Sequence, residues 1–161
     1  MGNIFSGSEI VGIGIQIEKN GRDFYSALAE KSEDQKSAAL FKYLASEEAK
    51  HIQVFQGILD KTEKYEPQGL DADEYSAYMD NLSGKCVFTR EGQGTQIAKT
   101  VKNDLEAVTM GIGFERDSII FYEGMKKMVP DYDVRIIDEL IIQEAGHLKQ
   151  LADLKAGLLT K

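Results

Sequence analysis

Cysteine is nearly missing from this chain. A single thiol, Cys86, supports no disulfide framework and no Cys-x-x-Cys metal knuckle, and it suits a reducing cytosol, so a cytoplasmic protein is expected. Long apolar runs are missing too. None approaches the ~18 residues a membrane-spanning helix needs, which excludes a membrane protein. No basic segment leads into an apolar stretch and a cleavage site, so no signal peptide is expected; the "MGNIFS" start fits only the loose myristoylation pattern. Positive charge is also in deficit. With 19 Lys and Arg against 27 Asp and Glu, the net charge of −8 cannot neutralise a run of phosphates, and nucleic acid is excluded as a partner. What is left is a 161-residue chain of ordinary apolar content, long enough for one domain, residues 1–161, with a buried core.

Histidine is almost as scarce. The chain has two, His51 in "SEEAKHIQVF" (46–55) and His147 in "IIQEAGHLKQL" (141–151), each three residues after a glutamate, Glu48 and Glu144. Both stretches belong to an internal repeat. "IGIQIEKNGRDFY" (13–25) aligns with "MGIGFERDSIIFY" (110–122) at a shift of 97, pairing Gly14, Ile15, Glu18, Phe24 and Tyr25 with Gly111, Ile112, Glu115, Phe121 and Tyr122. Leu44, Glu48, Ala49 and His51 pair with Leu140, Glu144, Ala145 and His147 at a shift of 96. The period is too long for a solenoid, so one unit has been duplicated.

Each unit reads as two helices. Ile10, Gly14, Ile17, Glu18, Gly21, Phe24, Tyr25 and Leu28 share one face at helical spacing, with Ser8 as the expected N-cap. After the polar "KSEDQKS" (31–37), Leu40, Phe41, Leu44, Glu48, His51, Phe55 and Ile58 share another. The second unit repeats this with Ala107, Gly111, Phe114, Glu115, Ser118, Phe121, Tyr122 and Met125, then Ile137, Leu140, Ile141, Glu144, His147, Leu151, Leu154 and Leu158. Pro130 divides that pair, with Asp131 or Asp133 as the expected cap. The helix pairs therefore span about 8–60 and 96–158, and a crossover of about 61–95 joins them, with a short helix expected at 71–82. Short turns make each pair antiparallel, while the long crossover lets the third helix run parallel to the second. The expected fold is all-α, a four-helix bundle of two duplicated antiparallel pairs with one long crossover, which resembles the ferritin-like arrangement.

Glu18, Glu48, Glu115 and Glu144 all fall on faces that should point into the core. An unpaired buried carboxylate protonates or finds a cation, and four together add repulsion to desolvation. Lys19, Arg22 and Arg116 are the bases nearby in sequence. Two divalent cations would balance four carboxylates. A residue and its i+3 neighbour share a helix face, so Glu48 with His51 reaches one site and Glu144 with His147 another, while Glu18 and Glu115 supply one further ligand each. Carboxylate-bridged metals ~3.5–4 Å apart form a familiar catalytic arrangement. Oxygen-rich sites with one imidazole apiece favour iron or manganese over a thiolate-type zinc site, with manganese and zinc as alternatives to iron. A lone Glu-x-x-His is often a solvated pair, but here both copies lie on apolar faces and use every histidine. Glu47 is read as no ligand, because its repeat partner is Gln143. Tyr25 and Tyr122, two turns after Glu18 and Glu115, either hydrogen-bond ligand carboxylates or serve as ordinary core aromatics. Gly14, Gly21 and Gly111 permit close packing or leave room for a ligand; Met110, Met125 and Met128 read as core filler.

These features, the repeated "IE(K/R)…FY" helices and the twin Glu-x-x-His helices, resemble the rubrerythrin group of ferritin-like proteins over nearly the whole chain. The resemblance implies a di-iron centre held by Glu18, Glu48, His51, Glu115, Glu144 and His147, and oxidoreductase chemistry with oxygen or hydrogen peroxide. It also implies a homodimer or larger assembly. The alternatives are an iron-binding, ferroxidase or storage protein without a redox substrate, and a structural di-metal interaction module. Two departures stand out. Rubrerythrins with peroxidase activity carry a glutamate three residues before the third-helix ligand, where this chain has Ile112; Glu106 is the nearest substitute. They also carry a rubredoxin-like domain, which one cysteine cannot build, so electrons would come from a separate donor protein. Ile112, matched by Ile15 in the first unit, implies a nearly symmetric site that prefers oxygen to peroxide.

Overall fold

A computed structural model describes residues 6–62, 77, 81 and 88–161. The architecture is all-helical, with five α-helices among the described residues: α1 Gly7–Lys31, α2 Gln35–Thr62, α3 Gln93–Thr100, α4 Asp104–Met125 and α5 Asp131–Leu159, with a 3-10 turn at Lys126–Met128. Cys86 and most of the helix expected at 71–82 lie outside the described residues, although 77 and 81 are helical.

The helix starts show how local chemistry sets the boundaries. The cap of α1 is Ser6, not Ser8: Ser6 Oγ accepts from Glu9 N at 3.2 Å and Ser6 N donates back to Glu9 Oε2 at 2.7 Å. This reciprocal capping box satisfies two N–H groups at the helix end. Neither Asp131 nor Asp133 caps α5 through its side chain; Pro130 holds that position, and Asp133 N donates to Pro130 O at 2.8 Å. The helix expected from about residue 96 is interrupted. α3 ends at Thr100, Val101 is extended, and Asn103 starts α4 by accepting from Glu106 N at 2.8 Å.

α1 packs along α2 and α4 along α5, and the two pairs face each other, α1 against α4 and α2 against α5. Tyr25 meets Glu115 while Tyr122 meets Glu18, which sets α1 and α4 antiparallel. A three-residue turn reverses α1 into α2, so α2 and α4 run parallel. The expected inward faces are the buried ones, with Leu40, Ile141, Leu154 and Leu158 only half-buried. Phe24, Tyr25, Phe41, Phe55, Phe121 and Tyr122 are completely enclosed. Burying an aromatic or large aliphatic side chain contributes roughly 1.5–3 kcal/mol, so this layer carries much of the fold's stability.

Asn20 ties α3 to this frame. Buried on α1, it donates from Nδ2 to Phe88 O at 2.6 Å and Arg90 O at 2.7 Å, and its Oδ1 accepts from Gly94 N at 3.2 Å. Phe88 takes φ +76°, a left-handed conformation that is costly for an aromatic residue. Its ring packs on Phe24 and Phe114, with centroids 5.1 and 4.8 Å away. The three Asn20 hydrogen bonds and this burial hold the strained turn in place. α3 lies so close to α1 that a Cβ on Gly94 would come within 2.0 Å of Asn20 O.

Candidate metal centre

The inward stripes of α1, α2, α4 and α5 meet in mid-bundle and bring six polar side chains together. Glu18, Glu48 and Glu115 are fully enclosed, and His51, Glu144 and His147 are at most 3% exposed. Heptad-like spacing puts these residues inside, and each helix continues apolar above and below them. Gly14, Gly21 and Gly111 serve close packing: a Cβ there would meet Met125 Cε at 2.7 Å, the Phe114 ring at 2.5 Å and Tyr25 Oη at 3.2 Å.

Both imidazoles turn Nδ1 into the cluster. His51 Nδ1 lies 3.0 Å from Glu144 Oε1, 3.4 Å from Glu18 Oε2 and 3.5 Å from Glu48 Oε2. His147 Nδ1 lies 2.8 Å from Glu144 Oε2, 3.7 Å from Glu48 Oε1 and 3.8 Å from Glu115 Oε2. The rings stack with centroids 5.6 Å apart and planes 20° apart. Two sets of donor atoms result, each mutually within 4.8 Å: Glu18, Glu48, His51 and Glu144, and Glu48, Glu115, Glu144 and His147. Glu48 and Glu144 belong to both, one oxygen turned each way. The helix-by-helix assignment of Glu48 to one site and Glu144 to the other is therefore too simple, because each helix meets its partner across the bundle.

The tyrosines hold the outer carboxylates. Tyr25 Oη donates to Glu115 Oε1 at 2.6 Å, and Tyr122 Oη donates to Glu18 Oε1. Each bond crosses between repeats, and each leaves the other oxygen, Oε2, facing the cluster. Burial, then the carboxylate beside each hydroxyl, pushes both tyrosines well above their ordinary range, so they remain donors.

Among the described residues, no lysine or arginine balances the charge. Lys19 and Arg116 are exposed, and Arg22 Nε turns to Asp23 Oδ1 at 2.9 Å. Burial, then repulsion from Glu144, Glu18 and Glu115, pushes Glu48 well above the carboxylate range; burial and Glu144 do the same to Glu115. Burial pushes Glu144 up as well, yet the His147 and His51 imidazoles beside it hold it at about 2. Burial pulls His147 down, but Glu115 and Glu144 lift it to about 9, and His51 is raised further for the same reason. Glu18 Oε2, both Glu48 oxygens, Glu115 Oε2 and His51 Nδ1 have no hydrogen-bond partner. Buried polar atoms are ordinarily satisfied, so this many orphans aimed at one point mark a cation site, and the oxygen-and-imidazole donor set fits a di-metal carboxylate centre.

Ile112 is partly buried against the core and Ile15 is buried, so neither repeat offers a ligand one turn earlier. Glu106 is not a substitute. It accepts from Lys102 N at 2.9 Å at the start of α4, nine residues before Glu115. One participant went unread in the sequence: Gln143 Oε1 lies 3.0 Å from His51 Nε2. Its repeat relation to Glu47 was the available signal.

The rubrerythrin family profile matches residues 9–155. Among solved structures, the chain is similar to a ferritin-like diiron-carboxylate protein from Thermotoga maritima, with a TM-score of 0.69 and 22% identity over 96% of this chain and 97% of that one. No curated protein matches the sequence significantly. Among the described residues, no helix is long and apolar enough to cross a membrane.

Proposed function

We propose, from the premise that this chain belongs to the rubrerythrin family, that it is a non-haem di-iron oxidoreductase of oxidative-stress or iron metabolism. Glu18, Glu48, His51, Glu115, Glu144 and His147 would hold the two ions. The observation that carries this reading is the pair of overlapping donor sets, with their unsatisfied buried atoms. Bound iron supplies the one-electron and oxygen chemistry that no side chain here can perform. The chain's own part is to bind and shield. Glu48 and Glu144 span both positions, the imidazoles offer Nδ1, and Tyr25 and Tyr122 fix the outer carboxylates. The surrounding aromatic layer, with Phe24, Phe41, Phe55 and Phe121 fully enclosed, keeps bulk water away.

Oxygen is the preferred oxidant in this reading, with peroxide second. The apolar Ile15 and Ile112 leave no carboxylate to enter or leave the coordination of one ion as its charge changes. In this reading electrons come from a separate donor protein, since the one cysteine of these 161 residues builds no rubredoxin-like centre. The assembly is a homodimer, not a hollow storage shell. Stopped-flow oxidation of the anaerobically iron-loaded protein tests the function. Rapid spectral change is expected with oxygen and slower change with an equal concentration of peroxide; Ile112→Glu should shift the preference toward peroxide. An unchanged spectrum over minutes with both oxidants overturns the oxidoreductase reading. Elution as a large shell would favour storage.

A further inference from the structure

The repeat places Gln143 and Glu47 in matching positions, and Gly146 and Lys50 in matching positions, each at the 96-residue shift of the Glu-x-x-His segments. The two halves use these residues differently. In the first, Glu47 Oε1 is taken by Lys50 Nζ at 2.5 Å on its own helix. In the second, Gly146 stands where a lysine would, so Gln143 has no such neighbour and reaches across to α2. There its Oε1 accepts from His51 Nε2 at 3.0 Å, while His51 Nδ1 faces three carboxylate oxygens. Among the described residues, His147 Nε2 has no matching acceptor; its ring meets the Tyr43 ring edge-on, centroids 6.2 Å apart. A Cβ on Gly146 would meet nothing within 4 Å, so the difference between the halves is one of hydrogen bonding and not of space.

From this asymmetry we infer that Gln143 is a positioning residue that makes the two metal positions inequivalent, so that the half containing His51 fills first. An acceptor on Nε2 keeps the hydrogen there, leaves the Nδ1 lone pair for the metal and fixes the plane of the ring. The His147 half lacks this device and must fix its ring when the ion arrives. The inference rests on the two-metal reading above and corrects the symmetric site that the repeat alone implies.

The test is cobalt(II) titration of the metal-free protein, followed by calorimetry and by the visible absorption of the bound ion. Wild type should take up two ions in resolved steps. Gln143→Leu, at an exposed position that leaves the core intact, should weaken the first step by about 10–100-fold and spare the second. Gln143→Glu, which keeps an acceptor, should preserve the first step. His51→Ala should remove the tight step and His147→Ala the weak one. In the cobalt-loaded protein, one imidazole N–H proton resonance should persist in water and be lost in Gln143→Leu. Equal losses from the two histidine variants, or a first step unmoved by Gln143→Leu, would overturn the inference while leaving two metals bound. Wild type that binds no cobalt would overturn the metal reading itself.

Discussion

Replacing Glu48 by glutamine should stabilise the metal-free protein and weaken the metal-loaded one. The Glu48 side chain is fully enclosed, neither oxygen has a hydrogen-bond partner, and three other carboxylates share its cavity. Burial first, then those neighbours, raises its carboxyl well above 4.5. A raised acid costs nothing below its unfolded value and destabilises the fold progressively as pH climbs from there toward the folded value. At 1.36 kcal/mol per pH unit, the interval from 4.5 to 7 bounds this cost at about 3.4 kcal/mol at pH 7. The imidazole nitrogens of His51 and His147, 3.5 and 3.7 Å away, offset part of that. A gain of about 1–3 kcal/mol is therefore expected, in the range for relieving one buried unsatisfied group. At about 2–4 °C per kcal/mol, Tm of the metal-free protein should rise by up to ~10 °C at pH 7 and hardly change at pH 4. The same variant lacks the anion shared by both metal positions, so added ferrous iron should raise its Tm much less than it raises wild type's. Differential scanning calorimetry at the two pH values, with and without iron, reads all four quantities. A loss of stability at pH 7 without metal, or an equal gain at pH 4, would refute the reasoning.

Metal uptake should strengthen as pH rises. His147, raised to about 9 by Glu115 and Glu144 against the pull of burial, stabilises the metal-free fold below 6.5 and loses that contribution as pH passes 9. The ion replaces the lost proton, so calorimetry in buffers of different ionisation enthalpy should show protons released on binding, fewer as pH approaches 9. Tyr25→Phe and Tyr122→Phe each strand one buried carboxylate oxygen; each should cost about 1.5–3 kcal/mol in urea unfolding and weaken iron binding by about 10–100-fold. Gly94→Ala, whose Cβ would lie 2.0 Å from Asn20 O, should destabilise by at least about 1–3 kcal/mol. Gly146→Ala, facing open space, should stabilise by about 0.5–1 kcal/mol in the same assay.

The bundle and the six converging side chains were legible because helical periodicity reports which face is buried, and a glutamate on such a face stands out. The pairing across the bundle was not legible. Periodicity places Glu48 and Glu144 inside without saying that each turns one oxygen toward each histidine, which depends on the antiparallel approach of α2 and α5. α3 escaped for a similar reason: eight residues carry little periodic signal, and its position depends on Asn20, some seventy residues earlier in the chain. The left-handed backbone of Phe88 has no sequence signature, since such turns usually carry glycine. Ser6 was legible: Ser6 with Glu9 writes the Ser-x-x-Glu capping pattern, and Ser8 lies two residues too late. Gln143 entered only as the repeat partner of Glu47, because its reach across to the neighbouring histidine is a tertiary fact.

The proposal is that one mid-bundle cluster of four glutamates and two histidines holds a pair of iron ions. Anomalous diffraction at the iron edge from anaerobically loaded crystals tests it most directly. Two peaks per chain are expected: one among Glu18, Glu48, His51 and Glu144, the other among Glu48, Glu115, Glu144 and His147. No peak there, or a single ion touching only one histidine after full loading, would contradict it.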